Sequence, residues 1–181
     1  MKLKMLLYCT KAGLILRDYR GKANVLSPTD RPVLNGKIVA ECDFEVEEIT
    51  KVRNYYDMKP EAFDNLYYTR TLDCEQLSIS SCMTTEQFDN YLKDKNGYAI
   101  HIEDLHVFDK PKKISDFYKS TNEITFEPPL PLIKAPQNMC YAYDKYGNKY
   151  VVISVYPYWA CKILNGEKTI EVRKKVLKEM L

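Results

Sequence analysis

The sequence holds six cysteines, Cys9, Cys42, Cys74, Cys82, Cys140 and Cys161, yet no CxxC pair and no paired Cys/His spacing. A structural zinc site needs such closely spaced thiolates or imidazoles, so no metal is expected. Several of these cysteines lie in apolar runs and read as small buried hydrophobes in a reducing compartment. Net charge is also lacking: the formal value is +2. A protein that coats nucleic acid carries a strongly basic footprint, which excludes broad duplex binding but not a local positive pocket. No apolar stretch approaches the roughly 20 residues of a membrane span. The opening MKLKMLLYCT is too short in its apolar part for a signal peptide. A cytoplasmic protein without a membrane partner is expected. There is no internal repeat, no low-complexity tract and only one tryptophan.

What is present is an ordinary apolar fraction, 45%, in 181 residues. A chain of this size buries roughly 70% of its unfolded surface and needs no covalent staple. It reads as one domain over residues 1–181. Tyrosine is in excess, 15 against six phenylalanines. Its apolar ring and polar tip suit half-buried faces and wet binding surfaces, although the codon bias of an AT-rich genome gives the same excess.

Along the chain, Lys4 to Thr10 is an apolar run that predicts a buried strand. Residues 11–34 carry scattered Gly, Pro and mixed charge and read as a long loop. Lys37 to Ile49 alternates, with Ile38, Ala40, Cys42, Phe44 and Val46 on one face, and predicts the clearest strand. Pro60 to Tyr68 reads as a short helix. Thr84 to Lys93 reads as a better one, capped by Thr84 or Thr85, with Phe88, Tyr91 and Leu92 as its stripe. Asn96-Gly97 ends it, and Tyr98 to Phe108 alternates again. Residues 109–136, rich in Pro and Lys, read as a surface excursion. Met139 to Tyr143 and Tyr150 to Val155 predict a hairpin. Pro157 opens a helix at the position where its missing N–H is harmless, and Asn165-Gly166 closes it.

The densest chemistry lies at Lys168-Thr169-Ile170-Glu171-Val172-Arg173. If Ile170 and Val172 face a core, period two puts Thr169, Glu171 and Arg173 on the opposite face. Lys168 stands at the strand's N-terminal end. A cation, a hydroxyl, a carboxylate and a guanidinium are thus presented together. A solvated ion-pair strip of little energetic weight is the plain alternative. Trp159 reads as packing between helix and sheet, while Tyr156 and Tyr158 suit either core or pocket. His101, which shares a face with Glu103, reads as a satisfied histidine. Lys110, Lys112 and Lys113 read as a solvated basic patch.

The run from Ile153 to Lys174, laid out as strand, short helix, NGEKT turn and strand with ExR, resembles the opening motif of the ASCH family, a branch of the PUA-like barrels. Leu7 to Lys11 followed by Asn35 to Glu41 resembles a second piece, and Gly97 to Ile102, Val107 to Lys112 and Pro136 to Tyr141 a third. Together they are similar to long members carried by phages and prophages of Gram-positive bacteria. The order departs from the family: the GEKT segment comes last here, as a circular permutation would place it. That order predicts that Met1 and Leu181 lie close in space; a domain-swapped homodimer is the alternative to a monomer. The resemblance implies an α+β fold, a PUA-like mixed β-barrel with flanking short helices, circularly permuted.

The resemblance also implies a site. The family includes RNA-binding modules and a small amidohydrolase acting on an acylated cytidine, whose catalytic lysine falls on Lys168. That enzyme has threonine where this chain has Glu171, and a carboxylate beside Lys168 holds the lysine charged, which suits binding. The expected ligand is a nucleotide or single-stranded RNA, with no cofactor. Lys168 and Arg173 would contact phosphate, Tyr156 or Tyr158 would stack on a base, and Glu171, Thr10 or Gln137 would read its edge, with Thr169, Ser154 and Lys11 beside them. A phage protein that sequesters a nucleotide signal is one form of this reading. The alternatives are a hydrolase on a modified nucleoside or RNA, with Lys168 and Glu171 catalytic, and an adaptor whose long loops bind protein.

Overall fold

A computed structural model describes residues 2–11, 34–53, 65–93, 95–119 and 129–181, with two short strands at 15–17 and 23–25. Met1, and with it the expected approach of the termini, lies outside the described residues. Among the described residues the chain is mixed α+β, with a seven-stranded sheet, three α-helices and a separate two-stranded ribbon. The sheet order is β7 (Met139–Tyr143), β8 (Lys149–Val155), β1 (Lys4–Cys9), β4 (Lys37–Arg53), β6 (Gly97–Lys112) and β9 (Ile170–Arg173), with β5 (Asn65–Tyr68) paired to β4. Among the described residues the order runs open from β7 to β9, so a closed barrel is not seen.

The contacts divide the chain into two compact units, Met1–Asp43 with Asp104–Asn165, and Phe44–Glu103 with Gly166–Leu181. In the first, β1 pairs parallel with β8, Lys4 opposite Tyr150 through Cys9 opposite Val155. It pairs antiparallel with β4 on its other side. A strand flanked on both sides and covered on both faces reads as a continuous apolar run, which is why Met5 to Cys9 are all buried. Helix α3 (Pro157–Leu164) follows β8, with Pro157 in its first turn. The core of this unit gathers Leu6, Tyr8, Ile38, Phe117, Leu132, Ala142 and Val152.

In the second unit, helices α1 (Cys74–Ser81) and α2 (Thr85–Leu92) pack with β5 and β9 around Ile49, Tyr67, Leu77, Phe88, Leu92, Ala99, Ile170 and Val172. Both helices begin with a capping box, Asp73 with Gln76 and Thr84 with Gln87. Each box satisfies two amide donors that a helix start otherwise leaves open.

Three expectations need adjusting, and helix α1 has no counterpart in the sequence reading. The helix read at Pro60 to Tyr68 is a strand over Asn65–Tyr68, paired with Thr50 to Arg53; residues 54–64 lie outside the described residues. Its two tyrosines alternate, Tyr67 buried and Tyr68 exposed, as a strand at a core surface requires. Helix α1 carries few apolar residues, so its periodicity is silent and only the Asp73/Gln76 box marks it. The loop read at 11–34 contains the antiparallel ribbon of β2 (Ile15–Arg17) and β3 (Ala23–Val25). The excursion read at 109–136 begins later, because β6 runs on to Lys112; residues 120–128 of it lie outside the described residues.

Candidate functional site

The GEKT turn and strand β9 place Lys168, Thr169, Glu171 and Arg173 in the second unit. The strand pairs antiparallel with β6, Tyr98 opposite Arg173, Ile100 opposite Glu171 and His101 opposite Ile170. Opposed residues share a face, so Glu171 lies on the face of Ile100, which is fully buried. The face expected to meet solvent is therefore covered. Lys168 is 3% exposed and Glu171 7%.

The missed helix α1 explains the burial of Lys168. Its last turn lies beside the GEKT turn: the Thr169 amide donates to the Ser80 carbonyl at 2.9 Å, and Lys168 Nζ donates to the Ser81 carbonyl at 2.6 Å. The ammonium thus neutralises the negative end of α1, whose last carbonyls have no partner within the helix. Lys168 Nζ also lies 3.4 Å from Glu171 Oε2, and Arg173 Nε 3.0 Å from Glu171 Oε1. Glu171 is bracketed by two cations. Arg173 is the most exposed of the three side chains, at 13%. Thr169 is exposed. The arrangement is a buried charge row whose open end is Arg173, not a solvated strip.

The other expected site residues lie in the first unit, around the C-terminal ends of the parallel β1–β8 pair. The Thr10 amide donates to the Val155 carbonyl at 2.9 Å. Buried Ser154 donates its hydroxyl to the Pro136 carbonyl at 2.6 Å, and its amide to the Asn138 carbonyl at 3.0 Å, which holds the exposed Gln137 between two fixed points. Lys11 is exposed and its stem lies against Gly36, where an added Cβ would sit 2.8 Å from Lys11 Cε. Tyr156, the N-cap of α3, is 46% exposed. Tyr158 is half-buried, with its ring edge-on to Trp159 at 4.7 Å and Lys162 Nζ 5.4 Å from its centroid.

Sequence reasoning missed a third cluster, in the second unit. Glu47 Oε2 accepts from the hydroxyls of Thr69 at 2.8 Å and Thr71 at 2.6 Å, and His101 Nε2 lies 2.9 Å from the same oxygen. His101 thus finds its partner on β4 rather than in Glu103. Glu47 Oε1 is buried without a hydrogen bond and faces Arg70 Nε at 3.7 Å. These residues stand 22 to 54 positions apart, and no local pattern announces them.

Burial pushes the Glu47 carboxyl up, but hydrogen bonds from Thr71, Thr69 and His101 outweigh it and hold the carboxyl below its ordinary value. A carboxyl depressed in the folded state stabilises the fold fully above the unfolded pKa, about 4.3, and less as pH falls through the folded value. The urea midpoint is therefore expected to drop as pH is lowered from about 6 to about 3, and Glu47→Gln to flatten part of that drop. A decline as steep in the variant as in the parent would show that Glu47 is not the group responsible.

Among the described residues, no group of three or more His, Cys, Asp or Glu side chains is placed to hold a metal, and no helix is long and apolar enough to cross a membrane. No family model, no curated protein and no solved structure matches the chain.

Proposed function

We propose that the chain is a nucleotide- or RNA-binding module of the ASCH type, a circularly permuted relative of the PUA-like barrels, with the GEKT segment as its ligand site. The observation that carries this reading is the buried row Lys168–Glu171–Arg173. A buried ion pair is a poor device for stability: well-packed apolar residues of similar size serve as well or better. A fold that keeps three charges together in one short segment is using them to hold a polar group in a fixed orientation. Lys168 positions Glu171, and Arg173, the row's open end, is the member that meets phosphate, in the fork geometry guanidinium favours. Lys168 itself serves as an internal counter-charge, because its donors point to Ser81 and Glu171. Sequestration of a nucleotide signal by a phage protein is one form of this reading.

The test is thermal shift of the full chain against mononucleotides, cyclic dinucleotides, modified nucleosides and short RNAs. A ligand at a hundredfold excess over Kd raises stability by about 2.7 kcal/mol. One ligand class is expected to shift the transition, and Arg173→Ala to remove that shift while leaving the circular dichroism of the chain unchanged. No shift with any class sinks the binding reading and moves the weight to a protein adaptor.

One observation favours a second reading, a hydrolase on a modified nucleoside or RNA. Lys168 is 3% exposed, the desolvation that a lysine acting as base or nucleophile uses, although the Glu171 carboxylate 3.4 Å away works against it. Turnover of acylated cytidine or single-stranded RNA, lost in Lys168→Ala with binding retained, separates it from the first.

A further inference from the structure

The first unit contains a groove of about 480 Å³ that lies apart from every residue discussed above as ligand-binding. Its walls include Glu41 from β4, Lys112 from the end of β6, Phe117 and Tyr118 from the segment after it, and Tyr146 and Tyr150 around the β7–β8 hairpin. The volume lies in the range of small-molecule sites, about 300–1,000 Å³.

The hairpin tip that supplies Tyr146 is tied down. The Asp144 carboxylate accepts from the amides of Tyr146 at 2.8 Å and Asn148 at 2.9 Å, from Asn148 Nδ2 at 2.8 Å and from the Tyr150 hydroxyl at 3.4 Å. Asp144 is spent on the turn. The turn in return holds a tyrosine ring 77% exposed at the mouth of a groove. Lys145 Nζ lies 4.9 Å from that ring's centroid and Lys112 Nζ 4.1 Å from that of Phe108. Two ammonium groups thus line a space already walled by aromatic rings. Glu41 supplies the opposite charge, with Lys4 Nζ and His106 Nδ1 at 3.6 and 4.0 Å, beyond ordinary hydrogen-bond length.

Of the three carboxylates on the groove, Asp144 is spent on the turn and Asp116 accepts from the Lys113 amide at 2.9 Å, which leaves Glu41 for N–H donors; with rings for a flat face and ammonium groups for an anion, this matches a nucleobase carrying phosphate. The carboxylate discriminates further. Its two oxygens accept two parallel N–H bonds, and among the RNA bases only guanine offers adjacent N1–H and N2–H donors on one edge. We propose that this groove binds a guanine mononucleotide, with the base on Tyr146, its N1–H and N2–H on Glu41 and its phosphate beside Lys112 and Lys145. The site is independent of the GEKT segment, and its success or failure leaves that reading where it stands.

Calorimetric titration of the full chain with GMP, AMP, CMP and UMP tests it. GMP is expected to bind at least about tenfold more tightly than the others, as loss of one bidentate pair implies. Glu41→Gln is expected to abolish that preference, and Tyr146→Ala, a change at an exposed tip, to weaken GMP by about tenfold through lost stacking. N1-methyl-GMP probes the same contact without touching the protein, and should fall to the level of AMP. GMP affinity unchanged by both Glu41→Gln and Tyr146→Ala would place the ligand elsewhere on the chain and overturn the groove. Equal affinity for the four nucleotides, no binding of any, or a GMP preference that survives both Glu41→Gln and N1 methylation would also overturn it.

Discussion

Lys168→Met is expected to lower stability by about 3–5 kcal/mol, read as a drop in urea midpoint at unchanged slope. The side chains are nearly the same length, so the loss is not one of volume. Removing the ammonium leaves the Glu171 carboxylate buried beside a single cation, and the Ser81 carbonyl loses its donor. Glu171 keeps Arg173 at 3.0 Å, but a buried carboxylate stripped of one of its partners is worse than an apolar side chain in its place. The double variant Lys168→Met/Glu171→Leu should therefore regain most of the loss, since Arg173 can then turn toward solvent. Lys2→Met is the control: Lys2 lies 3.6 Å from Asp43 but is 58% exposed, and exposed pairs contribute about 0–1 kcal/mol. If Lys168→Met costs no more than Lys2→Met, the row behaves as a solvated strip and the argument for a functional site on β9 falls with it.

That row also marks where reading the sequence stops. Alternation along Thr169 to Arg173 names which residues share a face, but it is silent on whether the face is covered. The answer depends on α1, eight residues in which only Leu77 and Ser81 are buried. A helix whose apolar stripe is one leucine leaves no periodic signature; its trace is the box of Asp73 and Gln76. By contrast, α2 and α3 are legible because their caps and stripes agree, Thr84 with Gln87 before Phe88 and Leu92, and Pro157 before Ala160 and Ile163. The burial of β1 is legible in its continuous apolar run, whereas its parallel pairing with β8 is not. Strand β5 is short enough that Tyr67 and Tyr68 fit a helix or a strand equally, and pairing with β4 decides. The Glu47 cluster and the tyrosine-lined groove are assembled wholly from distant residues, so only tertiary structure reveals them.

The second large effect is expected at Phe88, the largest fully buried side chain among the described residues. Its ring stacks on Tyr67 at 5.1 Å and 20°, and the Tyr67 hydroxyl in turn donates to the Asp89 carboxylate on the next residue of α2. Phe88→Ala removes apolar burial, leaves a cavity and breaks an aromatic pair; such truncations cost about 3–5 kcal/mol. Phe88→Leu keeps most of the apolar surface and should cost less than half as much. The consequence reaches the site, because Ile170 and Val172 of β9 belong to the same core as Phe88. Loosening that core frees the strand that carries Glu171 and Arg173 before it touches the charges themselves. Amide exchange resolved by residue should show Ile170 to Arg173 losing protection in Phe88→Ala together with α2, as members of one cooperative unit do. If α2 loses protection and β9 keeps it, the charge row is held by Lys168 and the end of α1 alone, and the core beneath it is not what positions the site.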